Sequence, residues 1–172
     1  MLKRVLFAAT LVATVPAVAK EYPIGKPQTQ AGMEIAAVYL QPIEMDPPDM
    51  MRAAAESDVH LEADIKAAKG NPNGFSEGDW VPYLDVAFEL KKDGATETRK
   101  GEMMAMGAND GPHNGDNVKM MGPGKYTLTL TVSPPKHFGR HVDKETGVGL
   151  WFKPMTLTYE FTFAGTGKKG AY

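Results

Sequence analysis

The chain has no cysteine. No disulfide staples it and no thiolate serves as nucleophile or metal ligand, so a soft-metal site has to be built from histidine and methionine. Histidine is scarce as well, at four residues, and each one is worth weighing. The charge is not one-sided: the formal net charge is −2 at pH 7, and no basic run resembles a nucleic-acid footprint. Beyond the N-terminal segment, no apolar stretch approaches the roughly 20 residues that a bilayer-spanning helix needs. There is no Ser/His/Asp arrangement and no open three-ligand zinc motif, so a conventional hydrolase is not expected. Methionine, by contrast, is plentiful at eleven residues.

The N-terminus predicts export. Lys3 and Arg4 precede an apolar run from Val5 to Val15, and Ala17-Val18-Ala19 supplies the small residues that a signal peptidase reads. Residues 1–19 therefore read as a signal peptide, cleaved after Ala19. Losing Lys3 and Arg4 takes the formal charge from −2 to −4. About 150 residues remain (20–172), enough for a single domain with its own core.

The mature part alternates as strands do. Val59, Leu61, Ala63 and Ile65 fall on one face, with His60, Glu62 and Asp64 on the other. Similar alternation runs through Leu84–Leu90, Thr127–Val132 and Met155–Phe163, and Met33–Met45 is an apolar run interrupted by Pro42. Lys92-Asp93-Gly94 reads as a hairpin turn, with Thr96–Met106 as the returning strand. Roughly seven such strands predict an all-β, immunoglobulin-like antiparallel β-sandwich. Asp49–Glu56 is a candidate short helix with Asp49 as its N-cap. Lys168–Tyr172 is expected to fray.

Four places carry possible chemistry. His60 shares its strand face with Glu62, although a lone histidine there is ordinarily a solvated surface residue. His113 lies in a Gly- and Pro-rich segment, 107–115, expected to be a rigid loop. Met106 ends the strand before it, where a methionine is more often core filling. His137 and His141 stand four apart, but Pro134, Pro135 and Gly139 argue against a helix, so at most one need be a ligand. Imidazoles with a thioether suit copper better than zinc or iron, while the carboxylates Glu62 and Asp110 suit harder ions.

Several long strings then match one family: Gly32-Met-Glu-Ile-Ala-Ala-Val-Tyr-Leu-Gln-Pro-Ile-Glu-Met45, Asp58-Val-His-Leu-Glu-Ala-Asp-Ile65, Asn71-Pro-Asn-Gly-Phe75, Asp110-Gly-Pro-His113, and Gly139-Arg-His-Val-Asp143 with Glu145-Thr-Gly-Val148. The chain resembles the periplasmic high-affinity iron-uptake proteins of Gram-negative bacteria, the FetP family, over nearly all of its mature length. The resemblance implies a periplasmic homodimer with a copper site formed by His60, Met106, His113 and His141. It associates Glu62 and Asp110 with adjustable copper coordination or an adjacent iron site, and leaves His137 out. It also implies an inner-membrane iron permease as partner, a supporting role in transport and not an enzymatic one. A copper chaperone or copper-resistance protein without an iron role fits the residues nearly as well. A purely adhesive immunoglobulin-like module, with incidental histidines, is the third alternative.

Overall fold

The structure is a computed structural model that describes residues 20–167. The expected signal peptide, 1–19, and the expected frayed tail, 168–172, lie outside the described residues. In chain order the strands are β1 (Tyr22–Pro23), β2 (Gln28–Gln30), β3 (Met33–Leu40), β4 (Val59–Ala67), β5 (Asp85–Lys92), β6 (Thr98–Ala108), β7 (Gly111–Val118), β8 (Gly124–Ser133) and β9 (Met155–Phe163). One 3-10 turn, Ala54–Glu56, precedes β4. No helix among the described residues is long and apolar enough to cross a membrane.

Every pairing is antiparallel, in the order β1-β3-β4-β7-β6-β5-β8-β9, with β2 also on β3. Strand β6 makes the corner. Its first half, through Met103, pairs with β5, and its second half, from Met104, pairs with β7. The β3-β4-β7 side and the β5-β8-β9 side thereby fold over one core, as the alternation predicted. Ile35, Leu61, Ala63 and Ile65 from one side meet Phe88, Leu90, Leu128, Leu130 and Leu157 from the other, all 5% exposed or less. Cutting such a leucine to alanine costs about 2–5 kcal/mol. The Tyr159 hydroxyl, on β9, donates to the Ile35 carbonyl on β3 at 2.9 Å and so pins the two sides together. Near the start of β8 the Tyr126 hydroxyl donates to the Gly122 carbonyl at 2.6 Å, a tyrosine corner of the kind found in immunoglobulin-like sandwiches.

Three local expectations are corrected. Residues 107–115 are not a loop: β6 and β7 form a hairpin turning at Asn109-Asp110, with Ala108 opposite Gly111. The candidate helix at 49–56 shrinks to the turn at Ala54–Glu56. Asp49 has φ 66°, a left-handed conformation that starts no helix, and no side chain caps the turn. The short strands β1 and β2 add to the expected set. Ala31 and Gly32, at φ 53° and 74°, make the two-residue turn that joins β2 to β3.

Candidate metal centre

The β4-β7-β6 register builds the site. Side chains opposite each other in an antiparallel pair share a face. His60 stands opposite Asn117, Glu62 opposite Gly115, and Met106 opposite His113. All are on the face turned away from the apolar core, because their neighbours Leu61 and Ala63 face inward. Met106 and His113, seven positions apart in the chain, are thus brought together as a single cross-strand pair.

This outer face is not solvated. His60 is 0% exposed, Glu62 5% and His113 4%, so the surface reading of His60 does not hold. The end of β3 and the segment after it cover them, with Leu40, Ile43 and Met45 lining a cleft of ≈ 350 Å³ beside Met106 and Asp110. Glu62 Oε1 lies 3.6 Å from His60 Nε2 and 3.3 Å from His113 Nε2. One donor atom from each of the three residues falls within 4.8 Å of the others.

Asn117 sets the chemistry of His60. Its Nδ2 donates to the Ile43 and Arg52 carbonyls at 2.8 and 2.9 Å, which fixes the amide orientation. Oδ1 is then the acceptor facing His60 Nδ1 at 3.1 Å. The ring must carry its proton on Nδ1 and present an unprotonated Nε2 to the cleft, as a metal-ligating imidazole does. Gly115 makes the room, because a Cβ there would stand 2.6 Å from His60 Nε2. Neither Asn117 nor Gly115 was identifiable as a site residue beforehand.

The electrostatics favour a cation. Burial drives the His60 pKa down to about 4, and burial likewise lowers that of His113. Both rings are therefore neutral at pH 7. Burial pushes the Glu62 carboxyl up to about 8, helped by the nearby Asp64, Glu21 and Asp110 carboxylates. Glu21 and Asp64 are also raised, mainly by burial. Desolvated carboxyls that repel one another lack a countercharge. Meanwhile His60 Nε2 and His113 Nε2 are two of only five buried side-chain polar atoms without a partner among the described residues, and they point at one spot. Buried polar groups are ordinarily satisfied. A cation bound by two imidazoles, a carboxylate and the Met106 thioether would satisfy all of them, and that mixed soft donor set fits copper.

The other expected residues are placed differently. Asp110 sits exposed at the hairpin tip, on the rim of the cleft. Asp64 and Glu21, which were not expected as site residues, stand with it around His113 in an adjoining groove. His141 is not brought to this cluster within one chain. It lies exposed in the irregular segment between β8 and β9. There its Nδ1 meets Thr146 Oγ1 at 2.8 Å, and that hydroxyl donates its only proton to Asp143 Oδ2 at 2.7 Å. Thr146 must therefore accept from Nδ1–H, and Nε2 of the exposed His141 has no hydrogen-bond partner among the described residues. His137 is exposed nearby.

The copper-reconstituted P19 protein of Campylobacter jejuni superposes with a TM-score of 0.85 at 52% identity, covering 87% of this chain and 99% of that one. FetP of uropathogenic Escherichia coli, expressed in the periplasm, superposes at 0.83 with 51% identity over 86% of this chain and 99% of its own. Copper-bound variants of the Campylobacter protein, with a glutamate, an aspartate or a methionine replaced, share the fold. A UPF0423 protein of Brucella abortus is 70% identical over 159 residues, 90% of this chain and 87% of the relative. The 34 kDa membrane antigen of Treponema pallidum is 37% identical over 147 residues, 81% of this chain and 72% of the relative. The family described as Fe2+ transport protein matches residues 18–165, and the chain belongs to that family.

Proposed function

We propose that the protein is a periplasmic, copper-binding accessory of iron uptake that receives iron and passes it to an inner-membrane permease. The observation that carries the copper part is the pair of buried, unpartnered Nε2 atoms of His60 and His113 converging on Glu62 beside Met106. Solved relatives at about half identity are copper-bound or copper-reconstituted, which supports the same metal here. Iron enters as cargo. The carboxylates of Glu62 and Asp110, with Asp64 and Glu21 beside them, give the hard oxygen donors that iron prefers. Within the centre the chain's own groups do defined work: Asn117 holds the His60 tautomer, and Glu62 gives up a proton when a cation arrives.

The protein would act as a homodimer, with His141 reaching the centre of a second copy. Thr146 and Asp143 hold its Nδ1 side, and its Nε2, unpartnered among the described residues, is available to a ligand outside its own surroundings. Val142 and Leu150, each 74% exposed, and Tyr83, 67% exposed, give that region apolar surface to bury. Sedimentation of the copper-loaded protein checks this, and a monomer at micromolar concentration would remove the second copy.

Function is tested by iron-limited growth of cells whose only iron route is this protein and its permease. Glu62→Gln with Asp110→Asn should impair growth while the purified variant still binds copper through its histidines. Normal growth would overturn the carboxylate iron site and favour a copper chaperone or resistance factor.

A further inference from the structure

Of the ten methionines after Met1, Met33, Met103, Met120 and Met155 are core and Met121 packs against it. The remaining five are not core filling, and their placement follows a pattern. Met106 lines the histidine cleft, and Met104 stands opposite Gly115 on the same outer face of β6. Met45, Met50 and Met51 belong to the segment laid over that face.

That segment is held at its base by the histidine's own partner. Asn117 accepts from the Ile43 amide and donates to the Ile43 and Arg52 carbonyls, so residues 43–52 are closed into a loop directly over His60. Pro47 and Pro48 stiffen it. Met45, Met50 and Met51 together line a groove of ≈ 280 Å³ whose wall includes Asn117. Met45 also lines the histidine cleft, so the two spaces share one thioether. Met50 is 48% exposed, which puts an apolar, oxidisable side chain in water with no packing to explain it.

We infer that residues 43–52 form a second, soft-metal site, in which the Met45, Met50 and Met51 thioethers take up Cu(I) at the surface and lie next to the histidine centre. Thioethers are uncharged, soft donors, selective for a monovalent d10 ion over divalent copper or iron. The histidine centre mixes imidazole, carboxylate and one thioether and suits the divalent ion as well. The loop therefore supplies an entry port with a different oxidation-state preference, joined to the centre through Met45. This deepens the copper reading above and shares its premise that copper occupies the cleft.

The test uses the full mature protein with methionine methyl groups isotopically labelled, titrated with silver(I) as a redox-inert stand-in for Cu(I). Silver should shift the methyl resonances of Met45, Met50 and Met51 in the wild type. It should still do so in His60→Ala with His113→Ala, where divalent copper binding is lost. Met50→Leu with Met51→Leu, on an exposed loop and nearly volume-conserving, should keep divalent copper at the histidines. That variant should lose silver affinity at the loop by roughly tenfold or more, about 1.4 kcal/mol. Silver that perturbs only Met106, or that binds the double leucine variant as it binds the wild type, would overturn the inference. Wild-type protein that takes silver at the loop but no divalent copper would instead refute the copper centre and leave the thioether site standing.

Discussion

Replacing Asn117 with alanine separates what orients the histidine from what holds the fold. The side chain is 2% exposed and makes four hydrogen bonds: to His60 Nδ1 at 3.1 Å, to the Ile43 amide at 3.2 Å, and to the Ile43 and Arg52 carbonyls at 2.8 and 2.9 Å. The three backbone partners are only partly buried and regain water, so each costs about 0.5 kcal/mol, the low end for a net hydrogen bond. His60 cannot, because its ring is fully buried, and an orphaned Nδ1–H costs about 1–3 kcal/mol. The sum is about 3 kcal/mol, which urea denaturation of the metal-free protein measures. A ring free to choose its tautomer also presents Nε2 for only part of the time. Loss of such an outer partner weakens metal binding by about 10–100-fold, read by competition with a copper chelator. Asn114→Ala is the matched control: Asn114 is equally buried on β7 but faces the other way, opposite Ala63. Equal losses of copper affinity in the two variants would mean that general loosening, not His60 orientation, is responsible. Unchanged affinity in Asn117→Ala would refute the tautomer argument.

Two further outcomes follow from the same geometry. Gly115→Ala should nearly abolish copper binding and cost about 1–3 kcal/mol of stability as overpacking, because the new Cβ meets His60 Nε2 at 2.6 Å and the Leu61 carbonyl oxygen at 3.2 Å; calorimetry and chelator competition check both. In the metal-free protein, stability should fall between pH 7 and 8 by about 1 kcal/mol, somewhat under the limiting 1.36 kcal/mol per pH unit, and Glu62→Gln should flatten this slope in urea titrations at the two pH values. The sign follows from Glu62 holding its proton up to about 8 when folded and losing it near 4.5 when unfolded. His60, lowered to about 4, and His113, also lowered, act in the opposite direction, mainly below pH 7.

Much of the fold was legible because one physical rule governs it. In β4, β5, β8 and β9 the inward residues are apolar and alternate strictly, so a period of two found strands whose observed limits differ by at most three residues from those expected. The hairpin at Gly94, with φ 74°, was legible for the same kind of reason, since a local turn needs a local residue. The covering of His60 was not. Which loop lies over which strand face is a long-range fact, decided here by hydrogen bonds between Asn117 and residues 43 and 52, more than sixty positions away.

Strand β7 shows why the rest of the site was hidden. Its sequence, Gly-Pro-His-Asn-Gly-Asp-Asn-Val, has almost nothing that a sheet ordinarily selects, and it read as a loop. Yet it sits between β4 and β6, paired with β6 over residues 111–115 and with β4 over residues 114–118. Each departure from strand composition has a cause in the centre it lines. His113 turns its buried Nε2 to Glu62, Gly115 clears space for the His60 ring, and Asn117 fixes that ring's proton. Flanking strands contribute the apolar contacts, so β7 can give up propensity without losing its place. Local rules tend to fail where a functional site overrides them. In this chain the segment that looked least like a strand is the one holding a proposed metal ligand, the clearance for the His60 ring and that ring's orienting partner together.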